Sequence, residues 1–126
     1  MSCLFNSFSR LLGEDPQAIR NRICDYLEAG EPIMEGIPTK MILDSDRPNY
    51  IAQMRNPSVW GGAIEIQAAC NIWKAKVIVE NRRDYRGTTA GAAQPIEFVP
   101  VSAPVTKIMR IYWTGGHYEP ISMTDV

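Results

Sequence analysis

The apolar residues of this chain change their period once, close to residue 74, and that change restricts the fold more than any other feature. Before it they recur at helical spacing. Leu4, Phe5, Phe8, Leu11 and Leu12 fall on one face of a helix over Cys3–Leu12, with Gly13 as its stop. Asp15 is a good N-cap and Pro16 suits a first helical position. Ile19, Ile23, Tyr26 and Leu27 then make the stripe of a second helix, ended by Gly30. Residues 31–48 hold three prolines and little period, which predicts loop with a short helix around 40–43. Residues 50–55 read as a further short helix, and 56–62 as a loop by their Pro and Gly content. Ala63–Trp73 is apolar nearly all round, with Glu65, Gln67 and Asn71 as exceptions, which predicts a buried helix.

After the change the signals are those of strands. Residues 76–80 contain the run VIV, and 96–101 form a second candidate strand. Lys107–Trp113 alternates, with Met109, Ile111 and Trp113 on one face and Ile108, Arg110 and Tyr112 on the other. The polar, Gly- and Ala-rich stretch 82–94 reads as a solvated loop, with a phosphate site at Arg82, Arg83 and Arg86 as the alternative. Helices first and strands after predict an α+β fold in which helices flank a small, mostly antiparallel sheet. A length of 126 residues suits a single domain, 1–126, with its own core.

Thirteen basic and fourteen acidic residues leave a net charge of −1 and no electrostatic case for nucleic acid or an anionic membrane as partner. No apolar run approaches the length of a membrane span, and the first residues lack the pattern of a signal peptide. Cys3, Cys24 and Cys70 are odd in number and scattered, which fits reduced thiols in the cytoplasm better than a disulfide framework. With a single histidine they also lack the paired spacing of structural zinc sites, so neither metal nor cofactor is expected.

The chemistry rests on two residues far apart in the chain. Cys3 opens a helix, where unpaired N–H groups and the macrodipole stabilise a thiolate. His117, the only histidine, follows the last alternating run and a glycine pair. If that run lies beside the first helix, an early cysteine and a late histidine make the order of a papain-like protease. Glu119 stands two residues on. In an extended chain its side chain shares a face with His117 across roughly 6–7 Å between Cα atoms, and it can hold the ring through Nδ1. Taken singly, Cys3 reads as a small terminal hydrophobe, His117 as a solvated turn residue and Glu119 as a surface carboxylate. Cys24 and Cys70 lie on apolar helical stripes and read as core.

Taken in order, CLFNSF, YIAQMRNPSVWGGAIEIQAACNIW, KVIVE and RIYWTGGHYEPI resemble the ovarian-tumour (OTU) family of papain-like cysteine proteases, most of which remove ubiquitin from proteins. The resemblance covers nearly the whole chain. It implies Cys3 as nucleophile and His117 as general base, with Glu119 where the family usually has Asp or Asn. It also implies that Trp60, Gly61 and Gly62, with Gly115 and Gly116, flank a narrow channel for the Gly-Gly tail of ubiquitin or a ubiquitin-like modifier. Segments 38–55 and 82–94 are the expected docking surfaces. The implied reaction is thiol-dependent hydrolysis of the isopeptide bond without a cofactor. The family block usually reads Asp-Gly-Asn-Cys, whereas Met1 and Ser2 precede Cys3 here. A sequence trimmed at its start, a differently built oxyanion hole and weak activity all fit that departure. So does an OTU-like module that binds ubiquitin without cleaving it. The domain could also be a piece of a larger viral or cellular polyprotein, and a viral one would act in the host cytoplasm.

Overall fold

Among the described residues of a computed structural model, 3–81, 95–102 and 104–126, five helices precede four strands. Helix α1 (Cys3–Leu12) buries Leu4, Phe5 and Phe8, the residues of the predicted face. Helix α2 (Pro16–Glu28) starts where Asp15 caps it, its carboxylate accepting from the N–H groups of Gln17 and Ala18 at 3.0 and 3.1 Å. Its stripe of Ile19, Ile23 and Leu27 enters the same core. Helix α3 (Thr39–Asp46) is longer than the four residues expected, and α4 (Tyr50–Met54) and α5 (Ala63–Trp73) follow.

Strands β1 (Ala75–Asn81), β2 (Ile96–Phe98), β3 (Lys107–Trp113) and β4 (Tyr118–Asp125) form one sheet in the order β2-β1-β3-β4. Two of its pairings are antiparallel, and the central one, β1 with β3, is parallel. A parallel pair needs a long crossover, and here the connection runs by way of β2 on the other edge of β1. Val77 and Val79 of β1 lie opposite Met109 and Ile111 of β3, and this face carries the core. Helix α5 packs against β1, and α1 packs against β4 and α2.

Two differences from the sequence reading have local causes. The second strand ends at Phe98 rather than at residue 101 because its next backbone groups turn to α5. Gln67 Nε2 donates to the Val99 carbonyl at 2.7 Å, the Val101 N–H donates to Asn71 Oδ1 at 2.9 Å, and Pro100 between them has no N–H for a ladder. The polar exceptions of α5 thus end the strand. The fourth strand has no counterpart among the strands that the sequence pattern predicts. It carries a bulge: Ile111 lies opposite Pro120 but Arg110 lies opposite Ser122, so Ile121 is the extra residue. The predicted loop 82–94, its arginines and its docking role lie outside the described residues.

Candidate active site

Cys3, Asn6, Ser7 and Arg10 recur at offsets of 0, 3, 4 and 7 and make one face of α1. Across from them stand His117, Tyr118, Glu119 and Pro120, and together these eight residues line a cleft of about 190 Å³. The first helix and the last strand therefore bring Cys3, His117 and Glu119 together from opposite ends of the chain. Cys3 is 8% exposed at the very start of α1, and Ser7 Oγ donates back to its carbonyl at 2.9 Å.

The bulge decides which face of β4 the glutamate takes. Opposed residues in a sheet share a face, so Met123, opposite Met109, belongs to the core face. Strict alternation from Met123 would carry Ile121, Glu119 and His117 to that same face. The extra residue shifts the register by one. Tyr118 and Pro120 then join Trp113 and Ile111 on the core face, and Glu119 lies opposite Tyr112 on the other. Glu119 and His117 meet in a charge-assisted hydrogen bond on the exposed side of the strand.

That bond reaches Nε2 of His117, not the Nδ1 expected from the sequence. A carboxylate oxygen accepts, so Nε2 is the donor of this bond and Nδ1 is the other ring nitrogen. Tyr118, between the two, is half-buried. Burial raises its hydroxyl pKa, and the neighbouring Cys3 and Glu65 raise it further.

The two loops of the expected channel also meet. Gly61 packs so closely on α1 that a Cβ there would lie 2.9 Å from Leu4 Cδ2 and 2.9 Å from Phe5 Cε2. Gly62 is the N-cap of α5. Trp60 is exposed, and its Cη2 lies 4.0 Å from where a Cβ of Gly116 would be. Gly115 has a φ of +105°, a conformation few other residues adopt. These five residues lie beside the 190 Å³ cleft rather than in its lining.

The remaining cysteines have the chemistry of core residues. Both are fully buried, and burial pushes the Cys24 thiol up to about 11 and the Cys70 thiol up to about 12. Among the described residues, no group of three His, Cys, Asp or Glu side chains is placed to hold a metal ion, and no helix is long and apolar enough to cross a membrane.

Sequence reasoning missed several residues of this region. Asn6, Ser7 and Arg10 were within its reach, since helical spacing counted from Cys3 finds them. Buried Arg20 and Glu65 were not. Arg20 Nη1 donates to the Met54 carbonyl at 2.7 Å, and its guanidinium carbon lies 4.1 Å from the centre of the Phe5 ring. Glu65 is 1% exposed and accepts from Tyr50 and from the Gly62 N–H. A helical stripe predicts apolar burial and says nothing of such pairs.

Residues 2–118 match the family described as OTU-like cysteine protease. The chain belongs to that family. The chain is 28% identical to the ubiquitin thioesterase otu2 of Schizosaccharomyces pombe, over 98% of its own length and 43% of the relative's. It therefore spans less than half of that curated relative. Among solved structures, an ovarian tumour (OTU) domain in complex with ubiquitin superposes with a TM-score of 0.70 at 21% identity, covering 97% of this chain and 64% of that one. The viral OTU domain protease from Dera Ghazi Khan virus gives 0.68 at 20% identity, covering 98% and 76%. Both share the α+β fold of this chain.

Proposed function

We propose that this OTU-like protease is a deubiquitinase, cleaving the isopeptide bond after the C-terminal glycine of ubiquitin or a ubiquitin-like modifier. Cys3 is the nucleophile, His117 the general base and Glu119 the group that orients it. The observation that carries this reading is the shared cleft of Cys3, His117 and Glu119, with Nε2 of the ring held by the carboxylate.

The steps follow from that arrangement. Nδ1 of His117 takes the thiol proton of Cys3. The thiolate attacks the glycine carbonyl. The tetrahedral intermediate collapses as the imidazolium gives its proton to the departing lysine amine, leaving a thioester. Water, deprotonated by His117, then releases the glycine carboxylate and regenerates the thiol. Glycines at 61, 62, 115 and 116 suit a channel through which an extended tail without side chains must pass. The docking surface we assign to 38–55 includes exposed Met41. Reduced, buried thiols fit action in the cytoplasm, whether the cell's own or a host's.

The test is labelling with ubiquitin bearing a C-terminal propargylamide, on wild type, Cys3→Ala and His117→Ala. Expected are an adduct with wild type, none with Cys3→Ala and sharply slowed labelling with His117→Ala. Binding of ubiquitin without an adduct would replace the enzyme reading by the binding-module one, and absence of both would overturn ubiquitin as the partner.

A further inference from the structure

Glu65 stands out because its burial exceeds what its helix needs. At the third position of α5 a glutamate commonly reaches back to the N-cap N–H, and a side chain doing only that sits comfortably at the surface. Here the residue is 1% exposed, and an unpaired carboxyl at that depth would be strongly unfavourable. Both oxygens are engaged: Oε1 accepts the Gly62 N–H at 2.8 Å and Oε2 accepts the hydroxyl of Tyr50 at 2.5 Å. Tyr50 is itself buried, at the first position of α4. A fully satisfied buried network of this kind fixes the backbone that it touches.

That backbone lies between the two halves of the site. Gly61, next to the pinned Gly62, rests directly on Leu4 and Phe5, the two residues that follow Cys3. On the other side of Gly61, Trp60 reaches toward Gly116, one residue before His117. A shift of the 60–62 loop would therefore be felt at the thiol and at the turn carrying the imidazole together.

We propose that Glu65 is a positioning residue: held by Tyr50 and Gly62, it sets how deeply the 60–62 loop sits against α1, and so how narrow a passage a substrate tail must thread to reach Cys3. This rests on the proposed hydrolysis of a glycine-ended tail, and it names the residue that enforces the glycine requirement.

The experiment compares wild type, Glu65→Gln, Glu65→Ala and Tyr50→Phe on two aminocoumarin amides of ubiquitin, ending in Gly-Gly and in Ala-Gly, with a thermal melt of each variant. One added methyl in a tight passage gives wild type a preference for Gly-Gly of about 10- to 200-fold. Glu65→Ala and Tyr50→Phe should each shrink that preference at least several-fold. Glu65→Gln, whose amide oxygen still accepts from Gly62, should keep it. A role confined to stability would lower both rates together with the folded fraction and leave the preference unchanged, which overturns the proposal. Should Glu65→Ala fail to fold, Tyr50→Phe decides.

If wild type turns over neither ubiquitin amide, the proposed function fails and alkylation of Cys3 decides this point separately. The ratio of the phenylmaleimide rate to the iodoacetamide rate then rises in Glu65→Ala and Tyr50→Phe if Glu65 sets the passage, and an unchanged ratio overturns it. Cys24 and Cys70, fully buried, do not compete for the reagents.

Discussion

Cys3 and His117 face one cleft, yet the molecule holds them in opposite ways. Cys3 is 8% exposed on a helix whose next residues, Leu4 and Phe5, are buried beneath the 60–62 loop. Phe5 lies against the buried guanidinium of Arg20, which fastens α2 to the end of α4. The side chains of His117 and Glu119 are 51% and 41% exposed at the start of an edge strand. Packing places the thiol, whereas backbone register and one carboxylate place the imidazole. The thiol side should therefore lose stability and activity together, and the imidazole side should lose activity alone.

The largest expected effect is on the exposed side. His117→Ala should lower kcat/KM by about 100- to 10,000-fold, the range of a lost general base. Its unfolding free energy should stay within about 0.5 kcal/mol of wild type, as for other surface substitutions. A urea titration beside the rate measurement checks both, and a large stability loss would break the comparison. On the buried side, Phe5→Ala should cost about 3–5 kcal/mol through the cavity that it leaves. Its activity should fall only as far as the folded fraction falls, plus whatever the loosened first turn of α1 adds.

Gly61→Ala sharpens the contrast. The new methyl would press on Leu4 and Phe5, which are buried and have little room to yield. About 1–3 kcal/mol of destabilisation is expected from such overpacking, read from the denaturation midpoint. The same substitution at Gly62 meets nothing within 4 Å and should be milder.

The smallest effect is a pH dependence. Burial raises the pKa of Glu65 above its ordinary 4.5, more than its hydrogen bonds from Tyr50 and Gly62 lower it. The folded state therefore binds this proton more tightly than the unfolded state. Its contribution to stability is fully present below the unfolded value and is lost as pH rises through the folded value. Glu65→Gln does not titrate. As pH rises from the ordinary value of 4.5, the stability of wild type relative to Glu65→Gln should decline, and urea unfolding at several pH values measures it. A difference that stays flat would place Glu65 in a less costly environment than its burial indicates.

The legible part of the site was the part written in local pattern. The offsets of Leu4, Phe5, Phe8, Leu11 and Leu12 mark α1 from Cys3 to Leu12, and with it the thiol at a helix start. The order of CLF, WGG and HY pointed to the family. The face that Glu119 takes was not legible, because it depends on the extra residue Ile121, which breaks the alternation by which a strand is recognised. For the same reason the strand carrying Glu119 gives no alternating signal in the sequence, and Pro120 within it masks the pattern further. The nitrogen that Glu119 holds follows from the reach of two side chains once the strand is placed.

Sequence alone determined the bounds of three elements: Cys3–Leu12 and Lys107–Trp113 by a periodic apolar face, and Ala63–Trp73 by an apolar run between a Gly-rich loop and a strand signal. It also determined the residue types available for thiol chemistry, since one histidine and one cysteine at a helix start left little choice. Tertiary structure alone decided the parallel pairing of β1 with β3, the bulged register of β4 and the burial of Arg20 and Glu65. The physical reason is range. An amphipathic face is specified by neighbours within two turns or a few alternations, whereas a strand partner or a buried charge is stabilised by groups distant in the chain. The Met54 carbonyl that Arg20 needs and the Tyr50 hydroxyl that Glu65 needs come within reach only when the helices pack.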